Sequence, residues 1–224
     1  MPCANRANRN NLKPVKLPEG YSGDLSEFMG ILLGDGGVTT YFVRIYLNAE
    51  ADRAYAPRVM YLARNLFPGA SVTSYKDRRE KSLEIQISSK TVSDYLRGVG
   101  FSGRNRTVPA WILDRMEYTK KCLRGLFDTE GSVGLKVFHG KGGNYLYKQL
   151  TFTNKSQGLL NFVHDSLKTL GFNPTAPRLK NIYISNSKDI QRFINEIGFS
   201  NPKLLVKSRL QSYNDYLQLQ GGLA

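Results

Sequence analysis

FMGILLGDG, residues 28–36, is an apolar run that ends in a single acid, Asp35, with Gly36 and Gly37 directly behind it. The run reads as the end of a helix over about 25–35, with Asp24 or Ser22 as N-cap. The last turn of a helix carries partial negative charge on its unpaired carbonyls, so an acid there is disfavoured unless a cation compensates it. Asp35 is therefore either an inexpensive surface residue or a ligand for something positive.

The stretch has a partner further along the chain. CLRGLFDTEGSV, residues 122–133, repeats its order of apolar pair, Gly, apolar pair, small residue, acid and Gly, so Glu130 falls on Asp35, Gly131 on Gly36 and Gly125 on Gly30. The likeness continues downstream: LEIQISSKTVSDYLRGVGF (83–101) resembles NIYISNSKDIQRFINEIGF (181–199), with Lys90 on Lys188. A duplicated unit changes the reading of the whole fold. Two diverged copies are expected, each running helix, two strands, helix, two strands, helix.

In the first copy VRIYL (43–47) and LEIQIS (83–88) alternate as half-buried strands, with helices about 51–66 and 90–98. In the second, strands are expected about 133–139, 146–153 and 180–185, and helices about 156–170 and 188–197. The division is a basic arm at 1–20, a first repeat at 21–101, a linker at 102–117, a second repeat at 118–201 and a C-terminal tail or helix at 202–224. Pro109 and Trp111 suggest that the linker is docked.

Thirty-two Lys and Arg against eighteen Asp and Glu give the 224-residue chain a formal charge of +14, which points to a polyanionic partner, nucleic acid first. Strands with apolar residues on one face and Arg, Lys, Tyr, Thr and Gln on the other suit a DNA-groove reader. Ordinary solvated strand faces are the alternative. No apolar run is long enough to span a membrane. Two cysteines, Cys3 and Cys122, build neither a disulfide framework nor a zinc site. With no apolar signal core at the start, the expected location is intracellular.

Gly30 and Gly34 lie four residues apart, as do Gly125 and Thr129, so each opening helix carries small residues one turn apart where two backbones can approach. If these helices pack about a pseudo-twofold axis, Asp35 and Glu130 meet at the midline. Two carboxylates and two sets of helix-end carbonyls repel, and a hard divalent cation such as Mg²⁺ resolves the conflict. A metal held there beside DNA would serve phosphodiester cleavage.

The two motifs resemble the LAGLIDADG motifs of the homing endonuclease family in its single-chain, two-repeat form, over roughly residues 22–201. FMGILLGDG departs at Leu33, where the motif has its first acid and the family varies; LRGLFDTEG keeps Asp128 there and ends on Glu130. The resemblance implies an α+β fold of two pseudo-symmetric αββαββα repeats, each with an antiparallel four-stranded sheet, together forming a saddle on double-stranded DNA. It implies a monomer that cleaves both strands of a long asymmetric site to leave 3′ overhangs, in an intron or intein setting. Mg²⁺ would be bound by Asp35 and Glu130 with the carbonyls of Gly34 and Thr129; Mn²⁺ would substitute, and Ca²⁺ would bind without supporting cleavage.

Family analogy further places Lys90 and Lys188 near the phosphate, and Asn48 and Asn154 as solvent-positioning residues, although the strand phase of the two asparagines differs. Val133 and then Lys136 follow the second motif where some monomeric members have a lysine, so the catalytic base or electrophile is left open. DNA contacts are expected from Arg44, Tyr46, Lys76, Arg78, Arg79, Lys81, Gln86, Lys136, Lys141, Lys148, Thr151, Thr153, Arg178 and Lys180. The alternatives are a splicing maturase or RNA-binding relative, and a non-catalytic DNA-binding protein on the same scaffold.

Overall fold

A computed structural model describes residues 14–77, 81–103, 106–141, 143–176 and 179–221. Arg78, Arg79 and Arg178, and most of the basic arm, lie outside the described residues. The chain opens with α1 (Gly23–Asp35), which runs directly into β1 (Gly36–Val38) and then β2 (Phe42–Asn48), α2 (Ala56–Leu66), β3 (Ser71–Asp77), β4 (Ser82–Ser88) and α3 (Lys90–Gly98). A 3-10 turn at Ala110–Leu113 leads to α4 (Met116–Glu130), which runs into β5 (Gly131–Gly140), β6 (Gly143–Thr153), α5 (Gln157–Thr169), β7 (Asn181–Ile184) and α6 (Ser187–Glu196). Two more helices follow, α7 (Pro202–Arg209) and α8 (Tyr213–Gly221). No helix among the described residues is long and apolar enough to cross a membrane.

Ser22, not Asp24, caps α1, its hydroxyl accepting from the Leu25 amide at 3.1 Å. Every residue from Leu25 to Gly34 is buried, as expected of a helix packed on all sides rather than along one stripe. Its neighbour is α4, and the glycines set the separation. A Cβ on Gly30 would overlap the Cys122 carbonyl, and one on Gly125 the Glu27 carbonyl. The helices therefore touch backbone to backbone.

Both sheets are antiparallel. The first has the order β1-β2-β4-β3, with Arg44 opposite Gln86 and Gln86 opposite Thr73 on its outer face. Val43, Ile45, Ile85 and Ile87 form the inner face and are buried. The second sheet corrects the expectation of four strands: among the described residues it has three, in the order β5-β6-β7. The segment that should supply the fourth strand contains Pro174 and Pro177, which have no amide to give a ladder. Among the described residues this segment keeps one backbone bond, Thr175 N to Tyr183 O at 2.9 Å, and a side-chain substitute in which Tyr183 N donates to Thr175 Oγ1 at 2.9 Å.

The helix expected from residue 51 begins at Ala56, because the chain first turns around Asn48. The Asn48 Oδ1 accepts from the amides of Glu50 and Ala51 at 3.0 and 2.8 Å, and such Asx turns compete with helix formation. The linker is held by Trp111, which donates from Nε1 to Val99 O at 2.9 Å and stacks on Tyr21 with centroids 4.3 Å apart.

The start of α7 folds back onto both halves. The buried carboxylate of Asp128 accepts from the Ser200 and Asn201 amides at 3.0 Å and from the Tyr55 hydroxyl at 3.2 Å. Fully buried Glu27 meets Arg58 at 3.0 Å, Lys121 at 3.5 Å and Arg124 at 3.8 Å, and accepts from Ser200 Oγ at 3.1 Å. Burial pushes the Asp128 carboxyl up to about 7 against the pull of its amide donors. These acids occupy non-equivalent places: Asp128 corresponds to Leu33, and Glu27 to Cys122. The repeat is symmetric in backbone and asymmetric in its buried polar groups.

Candidate active site

The close packing of α1 and α4 delivers their C-terminal ends to one place. Each helix ends on an acid and passes without a loop into a strand. Gly36 and Gly131 donate backbone bonds to Leu32 O and Phe127 O while already extended, so the chain doubles back against its own last turn. A Cβ at either glycine would collide with that turn. These glycines answer a steric need, since the φ of Gly36 is −116° and that of Gly131 is −87°.

Both acids are pushed above the usual carboxylate range, and Glu130 feels the charge of Asp35. Burial raises the Asp35 carboxyl to about 6, helped by the charge of Asp52 and opposed by Arg106 and Lys203. Burial first, then the charge of Asp35, raises Glu130 to about 7, against Arg106 and a hydrogen bond from Asn154. Asn154 is 7% exposed and donates from Nδ2 to Glu130 Oε1 at 2.8 Å, while its Oδ1 accepts from the Ser156 amide at 2.8 Å. That arrangement fixes the amide orientation and with it the rotamer of Glu130.

The other asparagine is placed elsewhere. Asn48 is exposed, and its Oδ1 is engaged by its own turn. Next to Asp35 the electrostatic neighbour is instead Asp52, whose Oδ1 accepts from Lys203 Nζ at 2.7 Å and Asn201 Nδ2 at 2.9 Å. The phase mismatch between Asn48 and Asn154 in the sequence is the trace of this difference.

Glu130 opens onto a cleft of about 900 Å³, lined among others by Arg106, Asn154, Lys155, Gln157 and Lys180. Lys90 and Lys188 do not line it. Lys90 pairs with Asp94 at 2.5 Å on the first turn of α3, and Lys188 is exposed on α6. Among the described residues, the cations that share the cleft with Glu130 are Arg106, Lys155 and Lys180. Arg106 reaches the end of α1, where its Nη1 donates to Leu33 O at 2.9 Å and also to Gly34 O.

The outer sheet faces carry most of the residues expected to meet DNA. Arg44, Tyr46 and Gln86 share the outer face of the first sheet, where Arg44 is held by Glu84 at 3.1 Å and Gln86 at 3.2 Å. Lys136, Thr151 and Thr153 lie on the outer face of the second, with exposed Phe138, Tyr145 and Tyr147. Lys81 and Lys141 are at exposed hairpin turns. Two expectations fail on strand parity. Lys148 is in register with Leu135, on the inner face, and its Nζ donates to Ser208 O at 3.1 Å beneath α7. Lys76 pairs with Leu83, also the inner side, although it is exposed at the strand end.

Among the described residues no group of three or more His, Cys, Asp and Glu side chains is placed to hold a metal. The donor set on offer is two carboxylates with the backbone carbonyls behind them, all oxygen. That set fits a hard cation that keeps several of its waters.

Without metal, the raised values give stability a defined pH slope. Both acids bind their protons more tightly in the folded chain than in the unfolded one, where about 4 is usual. Their contribution is thus present below about pH 4 and lost as pH rises through 6 and 7. The metal-free protein should melt at a lower temperature at pH 8 than at pH 5, and the Asp35→Asn, Glu130→Gln double variant should show a shallower decline. Equal slopes in the two proteins would remove the acids as the cause.

Comparison with known proteins bears on the fold that carries these residues. Residues 117–198 match the family model described as a LAGLIDADG-like domain. The chain is 23% identical over 186 residues to the replication factor C small subunit of Thermococcus kodakarensis, covering 82% of this chain and 20% of that protein. It is 26% identical over 193 residues to the DNA-directed RNA polymerase subunit Rpo1C of Methanocaldococcus jannaschii, covering 84% and 20%. The chain thus spans about a fifth of the length of these curated relatives.

Among solved structures, I-DmoI in complex with DNA and Mn superposes with a TM-score of 0.54 at 22% identity, covering 79% of this chain and 96% of that one. Full-length WhiA from Thermatoga maritima superposes with a TM-score of 0.56 at 18% identity, covering 92% and 68%. The chain therefore has the α+β LAGLIDADG fold seen in I-DmoI, and its residues 117–198 match the model of a LAGLIDADG-like domain.

Proposed function

We propose that the chain is a site-specific double-strand DNA endonuclease that depends on a divalent metal, Mg²⁺ first. The observation that carries this reading is the convergence of Asp35 and Glu130. Two acids from two packed helices crowd at the base of two antiparallel sheets in a chain of charge +14, an arrangement costly to keep unless a cation and a phosphate belong there. The fold is shared with I-DmoI, a homing endonuclease solved with DNA and Mn.

When bound, the metal supplies a polarised phosphate and an activated water. The chain's own residues do the rest. Asp35 and Glu130, with the carbonyls of Gly34 and Thr129, form the oxygen donor set. Asn154 orients Glu130. Lys155 and Lys180, on the cleft beside Glu130, neutralise a phosphodiester entering it. The outer faces of the sheets position DNA, through Arg44, Tyr46 and Gln86 on one and Lys136 and Thr151 on the other. The protein acts as a monomer within the cell, one repeat for each strand.

A second reading, a DNA-binding protein without cleavage, is favoured by one observation, the Arg106 guanidinium on the carbonyl assigned to the metal. A library of randomised duplexes, incubated with Mg²⁺ or with Ca²⁺, separates the two. The endonuclease reading expects one family of sequences bound intact in Ca²⁺ and cut on both strands in Mg²⁺. Selection of a bound sequence left intact in both would establish the second reading. Affinity for the selected site should fall by about 10³–10⁵-fold between 50 and 200 mM salt if six to ten phosphates are contacted. A flat response in an anisotropy titration would argue against the sheet faces as the footprint.

A further inference from the structure

Both acid-terminated helices lack a basic residue in their own last turn. A helix end of this kind, with an acid added to unpaired carbonyls, needs a positive group from elsewhere. At α4 the need is partly met internally, since Thr129 Oγ1 contacts the Gly125 and Leu126 carbonyls at 3.1 Å. At α1 it is met by Arg106 from the linker, 71 positions after Asp35 (106 less 35). One guanidinium nitrogen serves both Leu33 O and Gly34 O.

Arg106 holds a φ of +42°, a left-handed conformation that a non-glycine residue adopts rarely and that persists only where surrounding contacts enforce it. Its charge is felt by both acids, in each case favouring the ionised form. A neutral helix cap would satisfy the carbonyls without acting on both carboxylates.

Resting on the endonuclease reading, we infer that Arg106 is a built-in cation for the paired acids, which occupies the end of α1 in the DNA-free chain and competes there with the divalent metal. The Gly34 carbonyl is the shared acceptor. A guanidinium and a dication cannot use it together, because their charges repel at that distance. The tethered guanidinium keeps two helix ends and two acids together without metal, and it lowers metal affinity until the guanidinium leaves.

The test is Mn²⁺ titration of the DNA-free protein, followed by the electron paramagnetic resonance signal of the free ion, for wild type, Arg106→Gln, Arg106→Lys and Arg106→Gln with Asp35→Asn. Glutamine still donates to a carbonyl but carries no charge. Arg106→Gln should tighten Mn²⁺ binding by about tenfold or more, a usual coupling between mutually exclusive ligands. Arg106→Lys should stay near wild type, and Asp35→Asn should abolish the gain. A purely structural cap would alter the melting temperature and leave Mn²⁺ affinity unmoved, so equal affinities in wild type and Arg106→Gln overturn the competition while leaving the metal site intact. No binding by any variant at millimolar Mn²⁺ overturns the metal site itself.

Discussion

Asp35→Asn and Glu130→Gln are each expected to slow cleavage of a selected duplex by at least about 10²–10³-fold, the usual consequence of removing one pre-placed charged group from a reacting phosphate or acyl centre. Binding of the same duplex should be unchanged or tighter, because each substitution removes a negative charge from a surface that meets phosphates. The signature is sharpened by stability. Asp35 is the second cause of the raised Glu130 carboxyl, after burial. Neutralising Asp35 therefore lets Glu130 ionise more readily, and the metal-free variant should be more stable than the wild type at pH 8. Lost activity with gained stability is the pattern of a strained functional site. Ordinary nicking of both strands by either variant would remove the acids from the chemistry. Loss of activity with lower stability at pH 8 would instead assign them a structural role.

How much of this was readable beforehand differs residue by residue. The paired motifs were legible because a glycine four residues from another glycine, then an acid, then a glycine, satisfies a chain of steric demands that little else in the composition explains. Each of those demands has a counterpart in the fold. Gly30 and Gly125 sit where backbones touch, and Gly36 and Gly131 where the chain folds onto its own last turn. Strand parity was legible for Arg44, Tyr46 and Gln86, which alternate with apolar neighbours. It was not legible for Lys148, whose register with Leu135 places a charged group on the inner face under α7. Amphipathic alternation fails as a guide when a long cationic stem can be buried and its head returned to a carbonyl.

The missed residues share a cause. Arg106, Asp52 and Lys203 reach the site from a linker, a turn and helix α7. None has a period or a motif, and each depends on which segment folds over α1 and α4 once they are packed. The one trace in the sequence was negative: two helices ended in acids with no cation of their own.

Gly30→Ala is expected to destabilise the fold by about 3 kcal/mol or more, at or beyond the usual range for overpacking. The methyl would meet the Cys122 carbonyl, and the backbone atoms around it, rather than a side chain able to rotate away. Relief requires the helices to separate. Separation is resisted at every level of α1, because its ten residues from Leu25 to Gly34 are all buried. Gly125→Ala should behave alike against the Glu27 carbonyl, and it would disturb as well the cluster in which Glu27 meets Arg58 and Lys121. A half-buried glycine such as Gly37, around which a Cβ would meet nothing, is the control, and Gly37→Ala should be nearly neutral. Urea unfolding of the three variants decides the matter. The same separation would move Asp35 from Glu130, so a Gly30→Ala protein that still folds should lose cleavage more than DNA binding. Should Gly30→Ala unfold at the wild-type midpoint, the two helices do not meet through their backbones, and the acids that end them would have no structural reason to share a site.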